Sequence, residues 1–323
     1  MNAHFGIPFC IKRGFTAKTC SNHSQSSNSN RWHVLSLREF RYGHFNSAVA
    51  RGALGLYFRP GRPYRVAFGP LRGLQMYYEK SINFHAVLGL WDVEYLGLLE
   101  TAFVKSGLLP RDGVAADVGG NIGYYSMWLS QLALPDGQIY TFEPSEEILP
   151  FLTRNLALNH IENVDVVKMA CGDHVGTTDF FIAEHHHSSS IHAEWAAEGH
   201  GAARKVTVKV TTLDAFFAAE TGRRPPNFIK FDIEGGGTHA LPGCRNILRE
   251  ARPFVLIESH TVDEDKAISD VLTGFDYCAY RLIDRAWVEK PDATHPDKRG
   301  VWGTLLLAPR EKYDVLVQKL ERI

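Results

Sequence analysis

An α/β fold, with a mostly parallel sheet covered by helices on both faces, is the class this 323-residue chain predicts, and three observations predict it. Short apolar runs alternate with helical patterns from Val114 to Glu258. The first run ends in an acid and a glycine-bounded turn, Asp117-Val118-Gly119-Gly120-Asn121-Ile122-Gly123. The second ends about twenty residues later in Phe142-Glu143-Pro144. Alternation of this sort builds parallel sheets, and open sheets of that kind take ligands in the crevice beyond their strand ends.

The elements follow in chain order. Ser21 to Asn30 is polar and low in complexity, unable to bury enough surface to offset the cost of ordering, so residues 1–31 are expected to form a disordered tail. Residues 32–100 mix aromatics with Gly-Pro punctuation, as in Phe58-Arg-Pro-Gly-Arg-Pro-Tyr64. They read as an accessory region, part helix and part short strand, leading to a helix near Trp91 to Ser106. Residues 101–323 carry the main domain. Within it Val114 to Val118 is a strand, Gly123 to Leu134 a helix, Pro135-Asp136-Gly137 a turn, and Gln138 to Phe142 a strand. Ser145 to Asn159 is a helix with Ser145 as its N-cap. Val164 to Met169 is the third strand, ending at Cys171-Gly172-Asp173. An inserted hairpin runs from about Thr177 to Val210 around a loop rich in His, Ser and Ala. Asn227 to Phe231 and Pro253 to Glu258 are strands flanking a helical stretch near His239 to Glu250. Tyr277 to Leu282 and Val301 to Ala308 complete the sheet.

Composition narrows the class. Thirty-five Lys and Arg balance 36 Asp and Glu, yet residues 1–78 hold eleven basic residues against the single acid Glu39. Such asymmetry can mean an anionic partner, although the acid-poor start reads more simply as a solvated segment than as a targeting sequence. Arg59, Arg62, Arg65 and Arg72 are interleaved with Tyr57, Phe58, Tyr64 and Phe68. Stacking on bases or an anionic sugar, and arginine stems lying over a small apolar layer, explain that mixture equally well. No nucleic-acid reader motif accompanies it, so no nucleic-acid partner is expected. Five cysteines without a Cys-x-x-Cys pair argue against a disulfide framework or zinc ribbon and for a reducing compartment. No run of eighteen apolar residues is present to span a membrane, and a cytoplasmic location is expected.

The two strand ends predict a nucleoside site. Gly119, Gly120 and Gly123 let backbone approach a ligand, and Glu143, with Pro144 beside it, is placed to accept both hydroxyls of a ribose. A nicotinamide dinucleotide would call for Gly-x-Gly-x-x-Gly and a pyrophosphate on the helix N-terminus. Here the middle glycine is displaced, and Asp117, two residues before Gly119, would repel a pyrophosphate while suiting a cationic ligand. S-adenosylmethionine, with a sulfonium, an amino group and no phosphate, fits that pattern. A nicotinamide-dependent oxidoreductase is the weaker reading.

On these residues the chain resembles the FkbM family of S-adenosylmethionine-dependent methyltransferases. The resemblance covers roughly Tyr64 to Leu307 and rests on Asp117-Val-Gly-Gly-Asn-Ile-Gly-Tyr124, Phe142-Glu-Pro-Ser145, Thr212-Leu-Asp214 and Ile229-Lys-Phe-Asp232-Ile-Glu234-Gly235 in that order. It implies a Rossmann-like class I methyltransferase fold, a seven-stranded mostly parallel sheet whose last hairpin adds an antiparallel strand. It also implies methyl transfer to a hydroxyl of a carbohydrate or secondary metabolite. By the same resemblance Asp117, Gly119 and Gly123 would surround the methionine part, Glu143 the ribose, and Asp173 the adenine edge, with Gly120, Asn121 and Pro144 also in the cofactor site. The family usually has a Glu two residues after Gly235, where this chain has Gly237. That departure keeps a non-catalytic cofactor-binding protein in view.

Acceptor chemistry falls to Asp232, Glu234 and His260. In extended geometry Asp232 and Glu234 point to one face at a strand end. A sugar hydroxyl needs a base before it attacks a methyl group, and His260, two residues past Glu258, is the leading candidate, with Asp232 sharing the role or orienting the acceptor. The competing readings are that the two acids cap the helix after the glycine turn and that His260 lies at the surface. No metal is assigned: a divalent ion on Asp232, Glu234 and Glu258 ranks below an ion-free site. His185-His186-His187, with His192 and His200, lacks the spacing of a metal site and reads as a mobile loop near the acceptor.

Overall fold

The computed structural model of the protein describes residues 57–79, 84–183, 189–191, 204–219, 221–282, 286–288 and 302–320. The expected tail and the histidines at 185–187, 192 and 200 lie outside the described residues. An N-terminal hairpin, β1 (Arg62–Arg65) and β2 (Gln75–Tyr78), leads through α1 (Phe84–Leu88) to α2 (Val93–Leu99), which continues in wider turns over Glu100–Lys105. The main domain then alternates. β3 is Val114–Val118; α3 is Tyr124–Trp128 with a wider-turned extension over Leu129–Ala133; β4 is Gln138–Phe142; α4 is Leu149–Leu158; β5 is Val164–Val167. β6 (Ala170–Cys171), β7 (Gly176–Ile182) and β8 (Arg204–Thr211) form a separate small sheet, β7 and β8 being the expected inserted hairpin. α5 (Leu213–Ala218), β9 (Phe228–Phe231), α6 (Gly237–Ala240), α7 (Arg245–Glu250), β10 (Phe254–Ser259), α8 (Val262–Gly274), β11 (Tyr277–Arg281), β12 (Ala286–Val288), β13 (Gly303–Pro309) and α9 (Arg310–Leu320) complete the described chain.

Among the described residues the main sheet has eight strands in the order β12-β11-β13-β10-β9-β3-β4-β5. Seven make the expected arrangement: β10, β9, β3, β4 and β5 run parallel, and β13 inserts antiparallel between β10 and β11. The three-residue β12 adds an edge. Burial on both faces follows from the period of two. On β10, Phe254 and Leu256 join the core with α2 and α9, through Leu99, Phe103 and Leu316. Val255 and Ile257 join the opposite core with α7 and α8, through Leu248, Ile268 and Val271. Residues so alternated can be apolar throughout, which is why β3 and β9 are buried along their whole length.

Two sequence expectations are corrected. Val164 to Met169 is not one strand: β5 stops at Val167, and Ala170–Cys171 leaves for the small sheet. Ser145 is not a helix cap either. α4 begins at Leu149 after the N-cap Ile148, which makes no side-chain cap, and among the described residues the Ser145 hydroxyl accepts no helix N–H; its own N–H donates to Glu143 Oε1 at 2.8 Å. Two asparagines on and just past α4 tie the hairpin to the domain. Asn155 Oδ1 accepts from Tyr77 N while its amide donates to the Ile122 carbonyl in the glycine turn, and Asn159 bonds both backbone groups of Gln75.

Candidate cofactor and acceptor site

Sheet register builds the floor of the crevice. On β3 the alternation that sends Val114, Ala116 and Val118 to one core sends Asp117 to the other face; on β9 it does the same for Lys230 between Ile229 and Phe231. Asp117 and Lys230 are direct partners across the parallel pair, with Thr141 on the other side of Asp117. Lys230 Nζ therefore lies 3.4 Å from Asp117 Oδ1 and 3.3 Å from Asp232 Oδ2, donates to the Gly119 carbonyl at 3.0 Å and sits 4.8 Å from the centre of the Tyr125 ring. Burial works against its charge, but Asp117 and Asp232 outweigh burial and raise its pKa. Ser126 donates to Asp117 Oδ2 at 2.6 Å and receives a bond from Thr141. Asp117 is fully buried, and burial raises its pKa against the pull of Lys230. Its charge acts from beneath the crevice floor.

The glycine turn has a reason within the fold beside the one the sequence suggests. A Cβ at Gly119, where φ is +84°, would stand 2.0 Å from the Asp232 carbonyl; one at Gly120 would meet Thr141 at 2.2 Å, and one at Gly123 would meet Leu152 at 2.7 Å. These glycines make room for the protein's own strands and helix. The turn is pinned to β4 by Gly119 and Gly120 N–H groups on the Phe142 carbonyl. Asn121, itself left-handed at φ 46°, donates its N–H to Glu143 Oε2 at 2.9 Å. Glu143 is thus held by two backbone donors, at Asn121 and Ser145, at the end of β4. Burial pushes its carboxyl up to about 7, against the pull of those donors and Lys230. Pro144 follows on the wall of a groove shared with Glu146, Leu149, Lys168 and Ile182. Asp173 is not joined to this group by any hydrogen bond among the described residues. Its half-exposed carboxylate bonds His174 Nδ1 at 2.7 Å and His239 Nδ1 at 2.9 Å, contacts that lower it to about 2.

Asp232, Glu234 and His260 do come together: one ligand-type atom from each lies within 4.8 Å of the others. Strand alternation is not the cause, since β9 ends at Phe231 and Glu234 is left-handed at φ 46°. A turn, not an extended strand, brings the acids side by side. The capping reading also falls. α6 has Gly236 as its N-cap without a side-chain cap, and the Gly237 N–H is taken by Glu264 Oε1 at 2.9 Å. His260 is 8% exposed and so is no surface residue. Its Nε2 lies 3.6 Å from both Glu234 Oε2 and Glu258 Oε1, and Nδ1 lies 3.8 Å from Glu264 Oε2.

Three contributors escaped sequence reasoning. Lys230 carried a signal, a lysine inside the apolar run Phe228-Ile229-Lys230-Phe231. Asp92 carried none. It accepts from Tyr125 Oη at 3.0 Å, and burial followed by the charge of Asp232 pushes it up to about 6. Glu264 is visible as the end of a capping box starting at Thr261. Its reach to Gly237, and to the His260 N–H at 2.8 Å, is not.

Comparison with known proteins places this geometry. A family model described as the methyltransferase FkbM domain matches residues 117–282, just over half of the chain. The chain is 24% identical over 202 residues to "Methyltransferase 1" of Beauveria bassiana, spanning 58% of this chain and 78% of that protein. It is 27% identical over 165 residues to hexuronic acid methyltransferase AglP of Haloferax volcanii, spanning 50% of this chain and 62% of that one. Among solved structures, the methyltransferase FkbM from Methylobacillus flagellatus is similar at 20% identity and a TM-score of 0.41, covering 70% of this chain and 55% of that chain. The chain therefore spans less than two thirds of the length of the last two proteins. Among the described residues no helix is long and apolar enough to cross a membrane. The matched span holds the glycine turn, Glu143 and the Asp232–Glu234 turn together, and the chain belongs to the FkbM methyltransferase family, whose cofactor is S-adenosylmethionine.

Proposed function

We propose that this chain methylates a hydroxyl oxygen of a carbohydrate or related metabolite at the ends of β3, β4, β9 and β10. The observation that carries the reading is the charge of the crevice floor. Three carboxyls, Asp92, Asp117 and Asp232, surround the cation Lys230. Such a floor attracts a positively charged ligand and repels a pyrophosphate, which disfavours the oxidoreductase reading. Glu143 fits the same ligand: a carboxylate fixed by two N–H groups keeps lone pairs for two ribose hydroxyls. When bound, the cofactor supplies a methyl group on a positively charged sulfur.

The chain's own part is positioning and proton transfer. Glu143 orients the ribose, and Asp117 and Lys230 fix the Gly119 turn from below. Asp232 and Glu234 face the acceptor and align its oxygen, and His260 would take up its proton as the oxygen–carbon bond forms and the sulfur–methyl bond breaks, leaving the demethylated cofactor as a neutral thioether. The missing Glu at position 237 is answered in space, since a Cβ there would lie 2.7 Å from Glu264 Oε1. A buried carboxylate stands where that side chain would start, which supports the catalytic over the merely binding reading. The name of the Haloferax relative favours a sugar acid or similar glycan as acceptor.

Asp232→Asn tests the proposal. Turnover of a labelled methyl group onto hexuronic acids, neutral sugars and polyketide alcohols should fall roughly 100-fold, while calorimetric binding of S-adenosylhomocysteine stays within about twofold of wild type. Unchanged turnover would return Asp232 to a structural role. S-adenosylhomocysteine binding by a wild-type chain that methylates none of these acceptors would favour the non-catalytic reading.

A further inference from the structure

We propose that Asp232, Glu234 and His260 hold one divalent transition-metal ion, of the manganese or zinc class, at the acceptor side of the crevice. The proposal rests on the same site as the methyltransferase reading and adds an ion to it. Three side chains of mixed type, an imidazole and two carboxylates, bring one donor atom each within 4.8 Å of the others. The separations within the cluster have a particular size. His260 Nε2 stands 3.6 Å from Glu234 Oε2 and 3.6 Å from Glu258 Oε1, longer than a hydrogen bond in either case. Two donors each about 2.1 Å from a shared ion at a tetrahedral angle lie about 3.4 Å apart. The imidazole and the Glu234 carboxylate are spaced as ligands of one ion are.

The imidazole is also presented as a ligand. Its side chain is 5% exposed, and the backbone on either side of it is fixed by Glu264, which accepts from the N–H groups of His260 and Thr261 at 2.8 and 3.1 Å. The same carboxylate lies 3.8 Å from Nδ1, beyond hydrogen-bond reach, so what it fixes is the backbone that carries the ring. Imidazole suits zinc and its neighbours and carboxylate suits manganese, so the donor set selects this class over calcium or magnesium. An ion here would take His260 as a ligand in place of its role as base, and would bind the acceptor hydroxyl and lower its pKa so that its proton leaves to water.

The test uses the full-length chain stripped with chelator and titrated with Mn²⁺, followed by calorimetry and spin-echo resonance. One ion per chain is expected, with modulation from a single imidazole nitrogen. His260→Ala should remove that modulation and weaken binding at least tenfold; Glu234→Gln, at a half-buried position, should weaken it likewise and serves if the histidine variant does not fold. Absence of stoichiometric binding, or a bound ion without the nitrogen signal, overturns the site. S-adenosylhomocysteine binding measured on the same sample keeps the two proposals apart. Its retention without Mn²⁺ binding sinks only the ion, and Mn²⁺ binding without it sinks only the cofactor reading.

Discussion

The two halves of the crevice are built in opposite ways. The cofactor half comes from one continuous stretch, Asp117 to Ser145, in which neighbouring strand ends bond each other through Asn121, Glu143 and Ser145. The acceptor half gathers Asp92, Tyr125, Lys230, Asp232, Glu234, Glu258, His260 and Glu264 from four separate segments. Lys230 belongs to both, since it touches Asp117 and the Gly119 carbonyl on one side and Asp232 on the other. A short-range half can keep its geometry through local turns, whereas a gathered half depends on the sheet and its register. The comparison predicts where substitutions act.

The largest effect is expected at the joint. Lys230→Met leaves buried Asp117 without its counter-charge, and chemical denaturation should show a loss of about 3–5 kcal/mol; a loss under about 1 kcal/mol would mean the halves are not tied there. Gly119→Ala puts a methyl group against the Asp232 carbonyl in a left-handed conformation. It should cost about 3 kcal/mol and disturb both halves, so a variant that loses only cofactor affinity would restore the ligand-approach explanation.

A smaller effect should separate the halves by pH. Glu143 has its pKa raised from the ordinary 4.5 to about 7 in the folded chain. Protonation therefore favours folding: the contribution is complete below pH 4.5 and is lost as pH rises through 7. Glu143→Gln should flatten that slope in melts of the ligand-free protein. Affinity for S-adenosylhomocysteine should rise over the same window in the wild type, by roughly tenfold, and not in the variant. An unchanged slope would take Glu143 out of the titration. The smallest effect is expected at Ser145, whose buried hydroxyl has no hydrogen-bond partner among the described residues. Ser145→Ala should shift stability by less than about 0.5 kcal/mol, where loss of a true N-cap costs about 1 kcal/mol.

The main sheet was largely legible because its strands are apolar runs with one periodicity, and β3 and β4 fall at the residues the pattern names. Glu143 was legible for a similar reason, since a strand end is a local feature. The acceptor side was legible only as residue types. Asp232 and Glu234 were placed together by an argument from strand alternation that fails, because the chain turns at Glu234. Asp92 lies twenty-five residues before Asp117 in no motif, and only packing through Tyr125 brings it to the floor. Ser145 misled because a serine before a helical pattern resembles a cap, and nothing local says that the helix starts only at Leu149, four residues on.

By itself the sequence determined the α/β class, the order of the central elements and the acid-and-glycine turn beside Glu143, since these depend on periodicity and on contacts a few residues apart. Tertiary structure alone decided that Lys230 joins Asp117 to Asp232, that Glu264 grips the loops after β9 and β10, and that His260 turns inward toward Glu234. Register across parallel strands sets such contacts, and parallel strands pair only through long crossovers, so residues that meet in space carry no spacing in the chain that announces it.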